Sequence, residues 1–260
     1  ASDAADNFVF KFENTAHIVL RNLTLQATGT NHARTILGLN NLQNILIEGC
    51  KIQSPLTDIA SDDRGNIILS ASSSESVRFH NNEITGGAWS IYYKGTNSSS
   101  TRALGFEMRD NQLLEADYGG LYLQYLTGAI VSGNTIRLKT SNDYYSRAVY
   151  ISNVEGNWQF TQNRISGGTY YGLYFDYCNA SASEPALIAN NFIQSQDNHY
   201  TFYSLRNSHQ QIYHNNINAT GGVTAFYYDG FGTSGNKVKN NSIKAENDQA
   251  VYVSGVSSKF

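Results

Sequence analysis

Proline and methionine are nearly absent: two prolines and one methionine stand beside 22 glycines and 18 tyrosines. Helix formers gather nowhere, while Val, Ile, Tyr, Phe and Thr run throughout, so the chain is expected to form strands with many turns. Basic runs are missing and the net charge is −3, which leaves a nucleic acid without an electrostatic footprint. No apolar stretch approaches the length of a membrane span. No secretory signal opens the chain at ASDAADNF, so any export signal has been removed or lies on a longer precursor. Two cysteines, Cys50 and Cys178, are too few for a disulfide framework. The six histidines, His17, His32, His80, His199, His209 and His214, show no metal-ligand spacing.

What is present is a repeat. The pattern apolar-x-apolar-x-x-Asn-x-apolar recurs in VRFHNNEI (77–84), FEMRDNQL (106–113), WQFTQNRI (158–165) and ALIANNFI (186–193). AIVSGNTI (129–136), QQIYHNNI (210–217) and NKVKNNSI (236–243) carry it with a weakened first position. One column therefore runs Asn82, Asn111, Asn134, Asn163, Asn191, Asn215, Asn241, and two earlier segments place Leu23 and Cys50 in it. Successive members are 27, 32, 29, 23, 29, 28, 24 and 26 residues apart. Such drift suits a solenoid of about nine coils, in which each coil touches only its neighbours and loop length is free.

A second column follows each asparagine: WSIYYK (89–94), GGLYLQ (119–124), RAVYIS (147–152), YGLYFD (171–176), YTFYSL (200–205), TAFYYD (224–229) and QAVYVS (249–254). Strict alternation sends Ile91, Leu121, Val149, Leu173, Phe202, Phe226 and Val251 inward. It sends Tyr92, Tyr122, Tyr150, Tyr174, Tyr203, Tyr227 and Tyr252 outward. Two strand columns per coil and no 3.6-residue period between them exclude a leucine-rich repeat, and the coil is too long for a hexapeptide helix. At about 4.8 Å per coil, Cys50 and Cys178 lie about 19 Å apart, beyond disulfide reach, and are expected to be free thiols.

The asparagine column, the coil length and the Gly-[Leu/Ile]-Tyr strands resemble the pectate-lyase-like superfamily along essentially the whole chain. The resemblance implies an all-β, right-handed parallel β-helix with an inward asparagine ladder in the left-handed turn of each coil. FKFENTAHIVLRNLTLQATG (10–29) also resembles repeats of long exported bacterial surface proteins. The superfamily includes lyases, hydrolases, esterases, epimerases, phage fibres and non-catalytic surface proteins, so it implies the fold and leaves the function open. In it the outer tyrosine-bearing face would form a saccharide cleft.

The asparagines read as structural, because stacked amides can bond backbone groups one coil away. Leu23 and Cys50 in that column suggest that the first coils close over apolar contacts instead. The tyrosines support two readings: rings that only stabilise the sheet, or an exposed aromatic face for sugar rings. Small residues two before the tyrosine (Ser90, Gly120, Ala148, Gly172, Ala225) suggest open ring faces. The Ser/Asn-rich segments 94–104 and 176–187 could wall a groove.

Two residues beyond each tyrosine, on the same side, stand Lys94, Gln124, Ser152, Asp176, Leu205, Asp229 and Ser254. Asp176 and Asp229, two coils or about 10 Å apart, are the best carboxylates for glycosidic chemistry. The galacturonan hydrolases' Asn-Thr-Asp, Asp-Asp, Gly-His-Gly and Arg-Ile-Lys motifs do not stand at matching positions. Asp62 and Asp63 form a lone acidic pair in a loop. A calcium-dependent lyase would need more carboxylates and a basic proton acceptor, so no cofactor is expected and calcium is unsupported.

The leading expectation is thus a non-catalytic, extracellular or cell-surface β-helical module. Its expected partner is a polysaccharide or partner surface along Tyr92, Tyr122, Tyr150, Tyr174, Tyr203 and Tyr227. A carbohydrate-active enzyme and a structural spacer are the alternatives. The chain stops at QAVYVSGVSSKF with no polar cap, so residues 1–260 are expected to be one domain within a longer polypeptide.

Overall fold

A computed structural model describes residues 6–71, 73–139, 145–195, 199–222, 224–246 and 249–255. The chain winds as a right-handed parallel β-helix, and its strands pair in parallel with strands one coil away. Three strand columns run the length of the stack, one more than the two columns read from the repeat. The third is a nine-stranded sheet from Thr24–Gln26 to Ser242–Ala245, made of the short segments just after each ladder asparagine. The other two columns merge into one sheet because the strand Ile36–Glu48 bends from the tyrosine face onto its neighbour.

The interior is a column of aliphatic and aromatic side chains. Ile91, Leu121, Val149, Leu173 and Phe202 have no exposed surface and Phe226 almost none. Their alternation with the outward tyrosines is what a strand with one buried face requires. Val251 is half exposed in the last described coil, with no further coil packed on it among the described residues.

The asparagine ladder closes polar groups inside this apolar shaft. From Asn111 onward each ladder Oδ1 accepts both the backbone N–H and the Nδ2–H of the asparagine one coil earlier; for Asn134 onto Asn163 both distances are 3.0 Å. Each Nδ2 also reaches a strand carbonyl of the preceding coil, as Asn163 does to Val131 at 3.0 Å. Cys50 joins through its backbone, donating to Asn82 Oδ1 at 2.9 Å, while its buried thiol sits over carbonyl oxygens. Both cysteines are free and buried.

Two expectations about the ladder are corrected. The left-handed residue is the one before each ladder position (Asn22, Gly49, Asn81, Asp110, Gly133, Gln162, Asn190, His214 and Asn240), not the ladder asparagine. The bend at that residue turns the next side chain inward, so the ladder residue itself keeps an ordinary φ. Leu23 closes over nothing: it is 41% exposed in the first coil, with no coil before it among the described residues.

A second, shorter polar ladder went unread in the sequence. It lies at the turn after the tyrosine strand, where Cys178 N–H donates to Asn207 Oδ1 at 2.7 Å and Gln210 N–H to Asn236 Oδ1 at 2.8 Å. Asn207 is fully buried and reaches back to Phe175 O. With only two asparagines and irregular spacing, the repeat carries no period to reveal it.

Candidate functional site

The outward column of the first face is one continuous register: Leu37, Ile68, Tyr92, Tyr122, Tyr150, Tyr174, Tyr203, Tyr227, Tyr252. Ring centroids repeat at 4.3 Å for Tyr92–Tyr122, 4.9 Å for Tyr122–Tyr150, 4.5 Å for Tyr203–Tyr227 and 4.7 Å for Tyr227–Tyr252, all stacked. Tyr174 breaks the stack. Its ring stands at 77° to both Tyr150 and Tyr203, at 4.9 and 5.0 Å, and stacks instead on Tyr171. Parallel strands impose the spacing, since neighbouring strands lie about 4.8 Å apart, close to a ring-stacking distance.

Stacking means that ring faces largely meet each other, while edges and hydroxyls meet solvent. The smallness two residues before each tyrosine does not open those faces. Ser90, Gly120, Ala148, Gly172 and Ala225 are buried, and they point inward. A Cβ at Gly120 would lie 2.4 Å from Ile136 and 2.7 Å from Ala148 O; at Gly172 it would lie 2.6 Å from Thr201 O. The close approach of the next coil at this corner demands the small residue at Gly120 and Gly172. Alternation fails at this corner, so the residue three before the tyrosine also points outward.

That position builds a second shelf beside the ladder. Trp89 packs edge-on against Tyr92, Tyr118 and Tyr122, Tyr171 stacks with Tyr200 at 5.7 Å, and Arg147 lies over Tyr150 and Tyr171. Trp89 also covers the aliphatic start of the column, Leu37 and Ile68. Strict period-2 reading of the strands hid this shelf; the signal available was aromatic or arginine residues at the head of the same strands.

Burial pushes the phenols of Tyr92, Tyr122, Tyr150, Tyr174 and Tyr203 above their ordinary range, and neighbouring phenols and carboxylates mostly push the same way. These five phenols are therefore neutral at physiological pH.

The carboxylates at the tyrosine-plus-two positions are tied. Asp176 is held by Arg206, whose Nε and Nη2 donate to Oδ1 at 3.1 and 2.9 Å and Nη2 to Oδ2 at 2.9 Å. Burial raises its carboxyl and Arg206 opposes that rise. Arg206 in turn lies 3.8 Å over the Tyr177 ring. Asp229 accepts from Phe231 N–H at 2.9 Å, fixing its own turn. In register, Leu205 stands between them.

Asp62 and Asp63 come to the rim of this face. The short 3-10 turn Asp62–Arg64 is capped by Ser61 and precedes the strand Ile67–Ser70. Asp63 pairs with Arg34 at 2.8 Å. Burial raises the Asp62 carboxyl; Arg34 and Lys94 lower it and Asp63 raises it, while Asp62 itself raises Tyr92. The segment 94–104 folds over a 3-10 turn, Ser99–Thr101, held by Thr96 Oγ1 on Thr101 O. The first part of 176–187 belongs to the body of the helix, since Cys178 is buried and Asn179 bridges neighbouring coils.

Residues 26–218 match a family model described as "Periplasmic copper-binding protein (NosD)". No curated protein sequence matches the chain. Solved structures that share its fold include the following three. The Dettilon tailspike protein has 15% identity and a TM-score of 0.59, covering 91% of this chain and 48% of its own. A mutant of the periplasmic alginate epimerase AlgG has 11% identity and a TM-score of 0.54, covering 95% and 70%. PfbA, a surface adhesin of Streptococcus pneumoniae, has 15% identity and a TM-score of 0.50, covering 94% and 63%. The chain thus spans about half of the tailspike.

The copper in the family's description finds no matching donor set. Among the described residues no three of His, Cys, Asp and Glu gather. All six histidines, both cysteines and Met108 are described, so soft and imidazole donors are fully placed. Met108 and both thiols are sealed in the core. Burial pushes the Cys178 thiol up to about 12, away from the thiolate a metal requires.

Proposed function

The chain belongs to the NosD family, a family of right-handed β-helices, and we propose that on this fold it binds an extended glycan along the tyrosine face without cleaving it. The observation that carries this is the seven-ring ladder Tyr92–Tyr252 flanked by the Trp89, Tyr171 and Tyr200 shelf. Aromatic edges, hydroxyls and the turned Tyr174 ring form a neutral, half-buried strip that runs with the helix axis, as a linear polymer requires. The tailspike, the alginate epimerase and the adhesin support a glycan or surface role on this fold. The family's periplasmic description and the surface adhesin support a setting outside the cytoplasm. The engagement of Asp176 by Arg206, and of Asp229 by its own turn, supports binding without cleavage.

Titration calorimetry against neutral and acidic glycans tests the reading, with circular dichroism controlling for folding. Tyr150→Ala, Tyr174→Ala and Tyr203→Ala should each weaken binding by roughly 1 kcal/mol or more through lost aromatic contact. Undiminished binding in the folded triple variant, or a parent that binds no glycan, overturns it.

A further inference from the structure

Arg147 heads the strand Arg147–Ser152 at the middle of the tyrosine face. Its guanidinium carbon lies 5.1 Å from the Tyr150 ring centroid and 5.9 Å from that of Tyr171. One coil earlier its register partner is Gly119, where a Cβ would stand 2.2 Å from the Trp89 ring. The indole therefore fills the space over that neighbouring register position, and the cation lies over two tyrosine rings.

Among the described residues no carboxylate answers its charge. Arg21, Arg34, Arg102, Arg109, Arg137 and Arg206 each hold a carboxylate. Arg147 forms no ion pair or hydrogen bond through its guanidinium among the described residues, and its Nε is closed off from water without an acceptor. A partly desolvated guanidinium lacking a counter-charge is costly, and aromatic faces return only part of that cost. Among the described residues, Asp176 is paired with Arg206 and Asp63 with Arg34.

We propose that Arg147 is the charge-reading residue of this face, taking the carboxylate or sulfate of an acidic sugar unit in a glycan laid along the ladder. The proposal rests on the glycan reading above and adds the substrate's charge to it. A planar, always-charged fork pairs two parallel donors with an oxyanion, and it stays planar while stacked on tyrosine. The ladder on either side supplies neutral contacts that do not discriminate charge, and Arg147 sets an unpaired cation among them.

The test is titration calorimetry of the parent, Arg147→Gln and Arg147→Lys against three probes: a polyuronate, the same polymer with its carboxyls reduced, and a sulfated form of the reduced polymer. The parent should bind at least one charged polymer about tenfold tighter than the reduced one, which is the size expected of a charge-assisted bidentate pair. Arg147→Gln should bring that ratio near one, and Arg147→Lys should retain part of it. Whichever charged polymer is preferred identifies carboxylate or sulfate. A folded Arg147→Gln that keeps the parent's ratio overturns the proposal, as does a parent that binds the reduced polymer equally well. A parent that binds none of the three removes the glycan reading itself, and this inference with it.

Discussion

Two ladders run side by side through this protein, one of asparagines inside and one of tyrosines outside, and they are built on opposite terms. Both place one side chain per coil at the parallel-strand spacing. The asparagine ladder is directional and closed: each amide answers the one before it and a backbone carbonyl, and almost nothing of it meets solvent. The tyrosine ladder is non-directional and half open, and it tolerates a quarter-turn of one ring at Tyr174 without breaking its register. The buried polar ladder must be complete, because an orphaned amide has no water to turn to. The exposed apolar ladder needs only contact area. An element that tolerates substitution at low cost is the one available for recognition.

That difference is sharpest in the effect of breaking each ladder. Asn163→Leu leaves the Asn134 N–H and Nδ2, the Val131 carbonyl and the Asn191 amide oxygen short of a partner, so we expect a loss of about 3 kcal/mol in urea unfolding. An unchanged unfolding midpoint would mean that the ladder does not bear on stability at that coil. Tyr174→Ala should cost about 1–2 kcal/mol, for the Tyr150, Tyr171 and Tyr203 ring contacts, and should leave the fold intact by circular dichroism. If it costs as much as Asn163→Leu, the contrast between the ladders fails.

The two ladders should also part on pH. Phenols raised by burial stay protonated in the folded protein while the unfolded chain's tyrosines ionise near pH 10. Their stabilising contribution is therefore whole below about pH 10 and is lost as pH climbs through the raised folded values. Ultraviolet titration should show a tyrosine fraction that ionises only as the protein unfolds; a single transition near pH 10 in folded protein would contradict it. The amide ladder contributes nothing titratable over the same range. Last and smallest, Tyr252→Ala and Asn241→Leu, in the more open final coils, should each shift stability by less than about 1 kcal/mol. Equal costs at ends and centre would show that burial does not set the scale.

The ladders were legible in the sequence because each repeats one residue type at one register, and a period survives loops of any length between its members. The parallel fold, the inward aliphatic column and the free cysteines follow from the same periodicity. What escaped was aperiodic. The Trp89, Arg147, Tyr171 and Tyr200 shelf repeats no single residue type along the stack and sits where alternation fails. Asp62 reaches Tyr92 across coils, through a loop whose path no repeat specifies. The small residues before the tyrosines were visible, but their cause was misassigned: a crowded interior corner, at Gly172 and Thr201 O, and not an open outer surface. The left-handed turn was likewise placed one residue late, since a pattern locates the conspicuous asparagine and not the bend that aims it.

Because each strand pairs only with its counterparts one coil before and after, reach is a counted quantity in this molecule. Inserting one coil of the repeat between any two would lengthen the rod by about 4.8 Å, add one amide inside and one phenol outside, and leave every other pairing as it was. Duplication or loss of a single repeat therefore resizes the tyrosine strip in fixed steps. Descendants of such a gene can be matched to ligands of different length without inventing a new surface.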